Sequence, residues 1–294
     1  MTYLQADDRP SGGNTARAQR EHWRIEDIAY DAIDPSRIAG NEMLFHLIVS
    51  ASFIESGSRT YTRNLVEHYA GSAELGQWLA EHWEPEELQH GAALARYAQT
   101  VWPNFPWQAA YDSFFDEYSR LCTVEALQSR VLEMVARCIV ETGTTTYYQV
   151  LRALAQRAGE PVLADLAGRI RADEVNHYKH FLASFKTLKA AQPVSRWSVA
   201  RVVGARLREM REDDSDVALR HVWQHAHAEG ANLFPDGTRT FPEFKKQMMS
   251  LFTQNLPIQQ AMRMALKPLM LPHRLEQWLQ APIVWFSRRQ WQQQ

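Results

Sequence analysis

From about Asn41 onward the apolar positions of this chain fall at helical spacing. Met43 to Ile54 contains no Asp, Glu, Lys or Arg, and Glu55 then interrupts the run. Gly71-Ser-Ala ends that helical region. The next helix is predicted from about Ala73 to Val101, with an interruption at Pro85, and it places Glu87, His90, Leu94 and Ala98 on one face. Pro103 and Pro106 punctuate the connection to a long helical region, about Trp107 to Arg157, broken near Cys122. Gly159-Glu-Pro161 starts a fourth long helix, about Val162 to Leu188. Amphipathic helices are expected again at Ser198 to Arg211 and Phe241 to Leu256. Residues 1–20 read as a polar arm. Trp23 to Ile33 is expected along the bundle surface, its aromatics packing rather than binding. The chain therefore divides into an N-terminal arm (1–40), a helical bundle (41–190) and a C-terminal helical extension packed on it (191–294).

Glutamate placement changes the picture. A lone carboxylate inside an apolar helix costs several kcal/mol unless it is paired, protonated or bound to a metal. Glu55 is one such residue, for which an ion pair with Arg59 or Arg63 is the plain alternative. Glu141 is another, the only charged residue between Cys138 and Val150. Downstream of each comes a Glu-x-x-His pair, Glu87/His90 and Glu174/His177, whose members lie on one helical face. Two such pairs among 21 Glu and 11 His are close to chance as a count. Their placement is not: Glu55 precedes Glu87 by 32 residues and Glu141 precedes Glu174 by 33, so one helix pair recurs about 87 residues later. A Glu from each of two helices and a Glu-x-x-His from each of the other two is the ligand set of di-iron carboxylate bundles.

Four carboxylates and two imidazoles without thiolate suit Fe/Fe, and also manganese. Two ferrous ions would balance the four negative charges, and O2 is the implied co-substrate. Thr144 lies one turn from Glu141, where its hydroxyl could face the metals. Asp173, four residues before His177, could accept that histidine's outer N–H, and Glu86 holds the matching place before Glu87. His180 reads as an outer or core histidine, and His221, His225 and His227 as a weak second cluster.

Composition excludes several classes. No window approaches the ~18 uninterrupted apolar residues of a membrane span. The N-terminus lacks the basic-then-apolar pattern of a signal peptide. Cys122 and Cys138 form no Cys-x-x-Cys pair and suit a reduced, cytoplasmic setting. Residues 195–294 carry a net +5 against −7 for the rest, a basic part that could attract an acidic partner. No dense basic run or recognition motif supports nucleic-acid binding. The tail is rich in Trp and Pro, including Pro268, Pro272, Trp278, Pro282, Trp285 and Trp291, and is expected to wrap the bundle.

Over roughly Asn41 to Leu188 the chain resembles the ferritin-like di-iron superfamily, and within it the soluble acyl-acyl-carrier-protein desaturases. Trp83-Glu-Pro-Glu-Glu-Leu-Gln-His-Gly91 looks like their first Glu-Glu-x-x-His-Gly segment. Asp173-Glu-Val-Asn-His177 is similar to the second, and Glu141-Thr-Gly-Thr144 to their Glu-x-x-Thr. The resemblance implies an all-α ferritin-like four-helix bundle with additional helices. It also implies metal ligands Glu55, Glu87, His90, Glu141, Glu174 and His177, with Thr144 assisting oxygen handling. Asp173 would serve the electron route or histidine support. A homodimer, a ferredoxin-type electron donor and an acyl chain on acyl carrier protein follow from the same likeness. The alternatives are a monooxygenase that hydroxylates or N-oxygenates a small-molecule substrate, and a non-catalytic iron-binding bundle. A ribonucleotide-reductase small subunit would carry Tyr four residues after its first motif His; here that position is Leu94.

Overall fold

The computed structural model describes residues 22–122, 128–209, 214–228, 233–237 and 240–272. Asn41 caps the first helix, its Oδ1 accepting from the Leu44 N–H at 3.1 Å. That helix, α1 (Glu42–Ser56), meets α2 (Ser58–His68) at Gly57, a break the apolar pattern does not signal. After Gly71 come α3 (Ala73–Trp78), a π-helical turn (Leu79–Trp83) and α4 (Glu84–Val101). The expected interruption at Pro85 is this widened turn. Proline cannot donate to the carbonyl four residues back, and the π turn directly precedes it. The predicted Trp107–Arg157 region resolves into two helices, α5 (Trp107–Tyr118) and α6 (Arg130–Arg157). Gly159, at φ +70°, turns the chain into α7 (Pro161–Ala191). The Glu160 carboxylate caps α7 through the Val162 and Leu163 N–H groups, at 3.2 and 2.7 Å. Four further helices follow: α8 (Arg196–Glu209), α9 (Asp214–Ala226), α10 (Phe241–Asn255) and α11 (Ile258–Leu266).

The long α6 and α7 pair with each other, and α1 pairs with α4; the two pairs assemble into a four-helix bundle. Of the later helices, α8, α10 and α11 lie on α6, and α9 lies on α1 and α5. Trp278, Pro282, Trp285, Trp291 and the polar arm of residues 1–20 lie outside the described residues. Among the described residues no strand forms, and no helix is long and apolar enough to cross a membrane.

The core is interrupted at one level, and that interruption positions the site. In α6, Val131 to Ile139 belong to one apolar cluster and Tyr148 to Ala155 to a second. In α7, Leu163 to Ile170 join the second cluster and Tyr178 to Phe185 the first. Between them lie Glu141 to Thr146 and Asp173 to His177. The first helix pair repeats the arrangement: Leu44 to Phe53 and Ala93 to Val101 lie on one side, and Leu65, Leu75, Leu79 and Trp83 on the other. A polar layer thus divides two hydrophobic clusters, which wall it off from water at both ends. Within it the run Thr142-Gly-Thr-Thr-Thr stays helical despite poor propensity. Thr142 donates to the Cys138 carbonyl at 2.7 Å and Thr146 to that of Thr142 at 2.9 Å, so these two hydroxyls are satisfied inside the helix.

Candidate metal centre

The polar layer holds six ligand-type side chains, each no more than 6% exposed. Glu55, Glu87, His90 and Glu174 offer atoms that all lie within 4.8 Å of one another; so do Glu87, Glu141, Glu174 and His177. The two groups share Glu87 and Glu174. Each group alone has one lone glutamate and one histidine, so the arrangement is two adjacent sites joined by two common carboxylates.

The histidines show how the site is aimed. His90 Nδ1 lies 3.2 Å from Glu174 Oε1 and 3.9 Å from Glu55 Oε2, while its Nε2 faces Asp173 Oδ2 at 2.9 Å. His177 Nδ1 lies 3.0 Å from Glu87 Oε1 and 3.7 Å from Glu141 Oε2, while its Nε2 faces Glu86 Oε2 at 2.7 Å. With Nε2–H donating to the outer carboxylate, each Nδ1 presents a lone pair to the centre. Both Nδ1 atoms, Glu87 Oε1, Glu141 Oε2 and Glu174 Oε1 are buried with no hydrogen-bond partner. Inward-facing acceptors without donors fit two cations.

Charge argues the same way. Burial, and then repulsion by Glu174, push Glu87 up from 4.5 to about 7. The same two causes raise Glu141 to about 7. Burial followed by Glu55 raises Glu174 to about 7, and burial with Glu87 holds Glu55 well above the usual range. Burial lowers His90 to about 4. Burial alone would also depress His177, but the neighbouring carboxylates of Glu141, Glu86 and Glu87 raise it well above its ordinary value. Four enclosed carboxylates cannot all ionise without positive charge between them. Cations there would displace protons.

The alternative ion pair of Glu55 does not form: Arg59 pairs with Glu84 at 3.4 Å, and Glu55 instead accepts from the Tyr148 hydroxyl. Thr144 reaches the layer, its hydroxyl 2.5 Å from Glu174 Oε2. Asp173 differs from the sequence expectation. It supports His90 across the bundle rather than His177 on its own helix, and Glu86 supports His177. The carboxylate before each Glu-x-x-His pair thus serves the other pair's histidine. Spacing along one helix favours the neighbour four residues away; only the crossing of α4 and α7 reveals the exchange. Sequence reasoning also misses Tyr148, and it misses Trp23, whose indole N–H donates to Asp173 Oδ2 at 2.7 Å. The pattern around Trp23 signals packing alone. Gly91 is a further requirement: a Cβ there would collide with Ser56 Oγ and lie 2.6 Å from Ser56 N, so glycine lets α4 approach α1 beside His90.

The other histidines that the sequence singled out lie elsewhere. His180 stacks on Trp78, with centroids 3.6 Å apart. His221 contacts Glu117 and Ser113, whereas His227 contacts Glu42 and the Trp223 carbonyl. Among the described residues, only the two groups in the bundle could hold a metal.

No family profile matches the chain, and no curated protein matches it in sequence. Solved structures do. One is a point mutant of an R2-like ligand-binding oxidase with an aerobically reconstituted Fe/Fe cofactor. It matches at a TM-score of 0.51 and 14% identity, over 79% of this chain and 87% of that one. Two other mutants described as R2-like ligand-binding oxidase, each with an aerobically reconstituted Mn/Fe cofactor, match at a TM-score of 0.50 and 16% identity, with the same coverage. The chain shares the all-helical ferritin-like fold of these proteins.

Proposed function

We propose that this chain is an O2-dependent di-metal oxidoreductase, with Glu55, Glu87, His90, Glu141, Glu174 and His177 as its metal ligands. The carrying observation is the pair of four-residue groups that share Glu87 and Glu174 inside a layer closed by apolar clusters. Two irons fit the donor set, and the Fe/Fe and Mn/Fe cofactors of the structurally similar oxidases support iron with manganese as the substitute. Bound there, such a pair supplies the reduction of O2 and the removal of hydrogen from an unactivated C–H bond.

The chain's own groups would orient and insulate that chemistry. Glu87 and Glu174, common to both groups, would serve both ions, while Glu55 and Glu141 would each serve one. Tyr148 keeps Glu55 in place through its hydroxyl. The Thr144 hydroxyl, its oxygen 2.5 Å from Glu174 Oε2, donates to that carboxylate and would steady it or supply a proton beside it. Asp173 links His90 to Trp23 in a hydrogen-bonded line that leads electrons inward from an external donor. Buried apolar side chains on both sides keep bulk water away from the reacting atoms.

The reaction we favour is oxidation, in first place desaturation, of an acyl chain carried on acyl carrier protein, by a homodimer fed from a ferredoxin-type donor. Its support is the likeness of the Glu-Glu-x-x-His-Gly, Asp-Glu-x-x-His and Glu-x-x-Thr segments to those of the soluble desaturases. The test has two stages. Metal is counted after anaerobic iron loading, and the reduced protein is then mixed with O2 and acyl carrier protein bearing a saturated chain. Near two irons per chain and a product two hydrogens lighter are expected. A product one oxygen heavier would replace desaturation by hydroxylation, and a chain that takes up no metal would overturn the assignment.

A further inference from the structure

His22 and Trp23 are consecutive in the chain, yet each reaches a different histidine support. The Trp23 indole donates to Asp173, its ring lies parallel to His90 with centroids 6.1 Å apart, and its carbonyl accepts from Gln89 Nε2 at 3.0 Å. His22 Nδ1 lies 2.9 Å from Glu86 Oε1, and the other oxygen of Glu86 holds His177 Nε2 at 2.7 Å. Behind these two residues the segment is anchored: Tyr30 donates to the Ala93 carbonyl at 3.1 Å, Arg96 covers its ring, and Ile28 and Ile38 are buried.

We propose that residues 22–38 form a clasp over the centre, with Trp23 holding the Asp173–His90 arm and His22 holding the Glu86–His177 arm. Clasp docking and metal retention are then one coupled equilibrium. The physical reason lies in the carboxylates. A histidine aims its lone pair at a metal only while its outer N–H has a fixed acceptor. On Glu86 the clasp takes the oxygen that His177 leaves, so the carboxylate cannot swing about its bond to that histidine; on Asp173 the indole and His90 share Oδ2, and the indole fixes that one oxygen from a second direction. Metal that fixes His177 in turn fixes Glu86, and so strengthens the clasp by the same factor. The arms differ in exposure: Trp23 is 7% exposed, whereas the His22 side chain is 65% exposed. His22 is the weaker closure, and the metal held by His177 is the first to leave.

The inference rests on the proposed ligand set, and the experiment separates the two. Full-length wild type, H22A, H22N and W23F are titrated with Mn(II), followed by its paramagnetic resonance, and then challenged with a chelator. In H22A one of two binding steps weakens by about tenfold, the lower end of the range for lost histidine supports. The other step is unchanged. H22N restores the weakened step, because its amide N–H replaces that of the imidazole, and W23F weakens the opposite step. In wild type, metal loading slows trypsin cleavage at Arg24; in H22A that protection is reduced. Two-ion binding in wild type with both steps unchanged, or both equally weakened, in H22A overturns the clasp alone. Failure of H22N to rescue does the same. A wild-type chain that takes up no Mn(II) overturns the ligand set and the clasp together.

Discussion

The two halves of the bundle carry the same ligand pattern on differently built helices. In the second half, α6 and α7 are continuous over 28 and 31 residues and present Glu141, Glu174 and His177 from regular backbone. In the first half, α1 stops at Ser56, one residue after Glu55, and α4 begins after a π turn, three residues before Glu87. Regular helices suffice where the partner is the adjacent helix of a tight hairpin. The first pair must also bring Gly91 against Ser56, and its ladder gives way on both sides of the ligands. The symmetry therefore lies in the chemistry of the ligands, not in the backbone that delivers them.

The sharpest way to break the equivalence of the halves is to remove a shared ligand and then an unshared one. Glu174→Ala or Glu87→Ala should lose both metals and all turnover. Glu141→Ala should lose metal selectively at the His177 side, a difference that metal analysis reads directly. Equal losses in all three variants would mean that the carboxylates do not bridge.

Acidity gives the next effect. Glu87, Glu141 and Glu174 sit at about 7 in the metal-free fold against 4.5 ordinarily. A carboxylate raised on folding contributes stability below its unfolded value and loses it as pH rises through its folded value. His90, lowered to about 4, works in the opposite sense up to its ordinary 6.5, but it is one group against several. Thermal unfolding of the metal-free protein should therefore shift downward between pH 5 and pH 8. Metal affinity should rise over the same interval, because each ion displaces protons. A metal-free midpoint that climbs across that interval would contradict the buried-carboxylate picture.

Thr144→Val should slow turnover by about tenfold, in line with other losses of support around a metal site, with two metals still bound. Thr144→Ser should recover most of the rate, and single-turnover kinetics distinguish the two. Gly91→Ala tests the first half alone. Overpacking costs of about 1–3 kcal/mol are expected, seen as a lower unfolding midpoint and weaker metal binding on the His90 side. A substitution there without effect would show that α1 and α4 have room to separate.

Much of this was legible before any coordinates. The apolar runs mark the four bundle helices, Gly71 and Gly159-Glu-Pro161 mark their ends, and the recurrence near 87 residues singles out the six side chains that the fold brings together. Local chemistry determines those features: helical spacing, caps, and the cost of a carboxylate in an apolar run. Tertiary structure decided what depends on crossing helices. Asp173 and Glu86 exchange histidines because the crossing of α4 and α7 brings each carboxylate against the other helix's imidazole, at 2.9 and 2.7 Å. Tyr148 meets Glu55 from 93 positions away, and Trp23 meets Asp173 from 150. A sequence records which groups must not be left alone in the core; only the packed fold chooses who keeps them company.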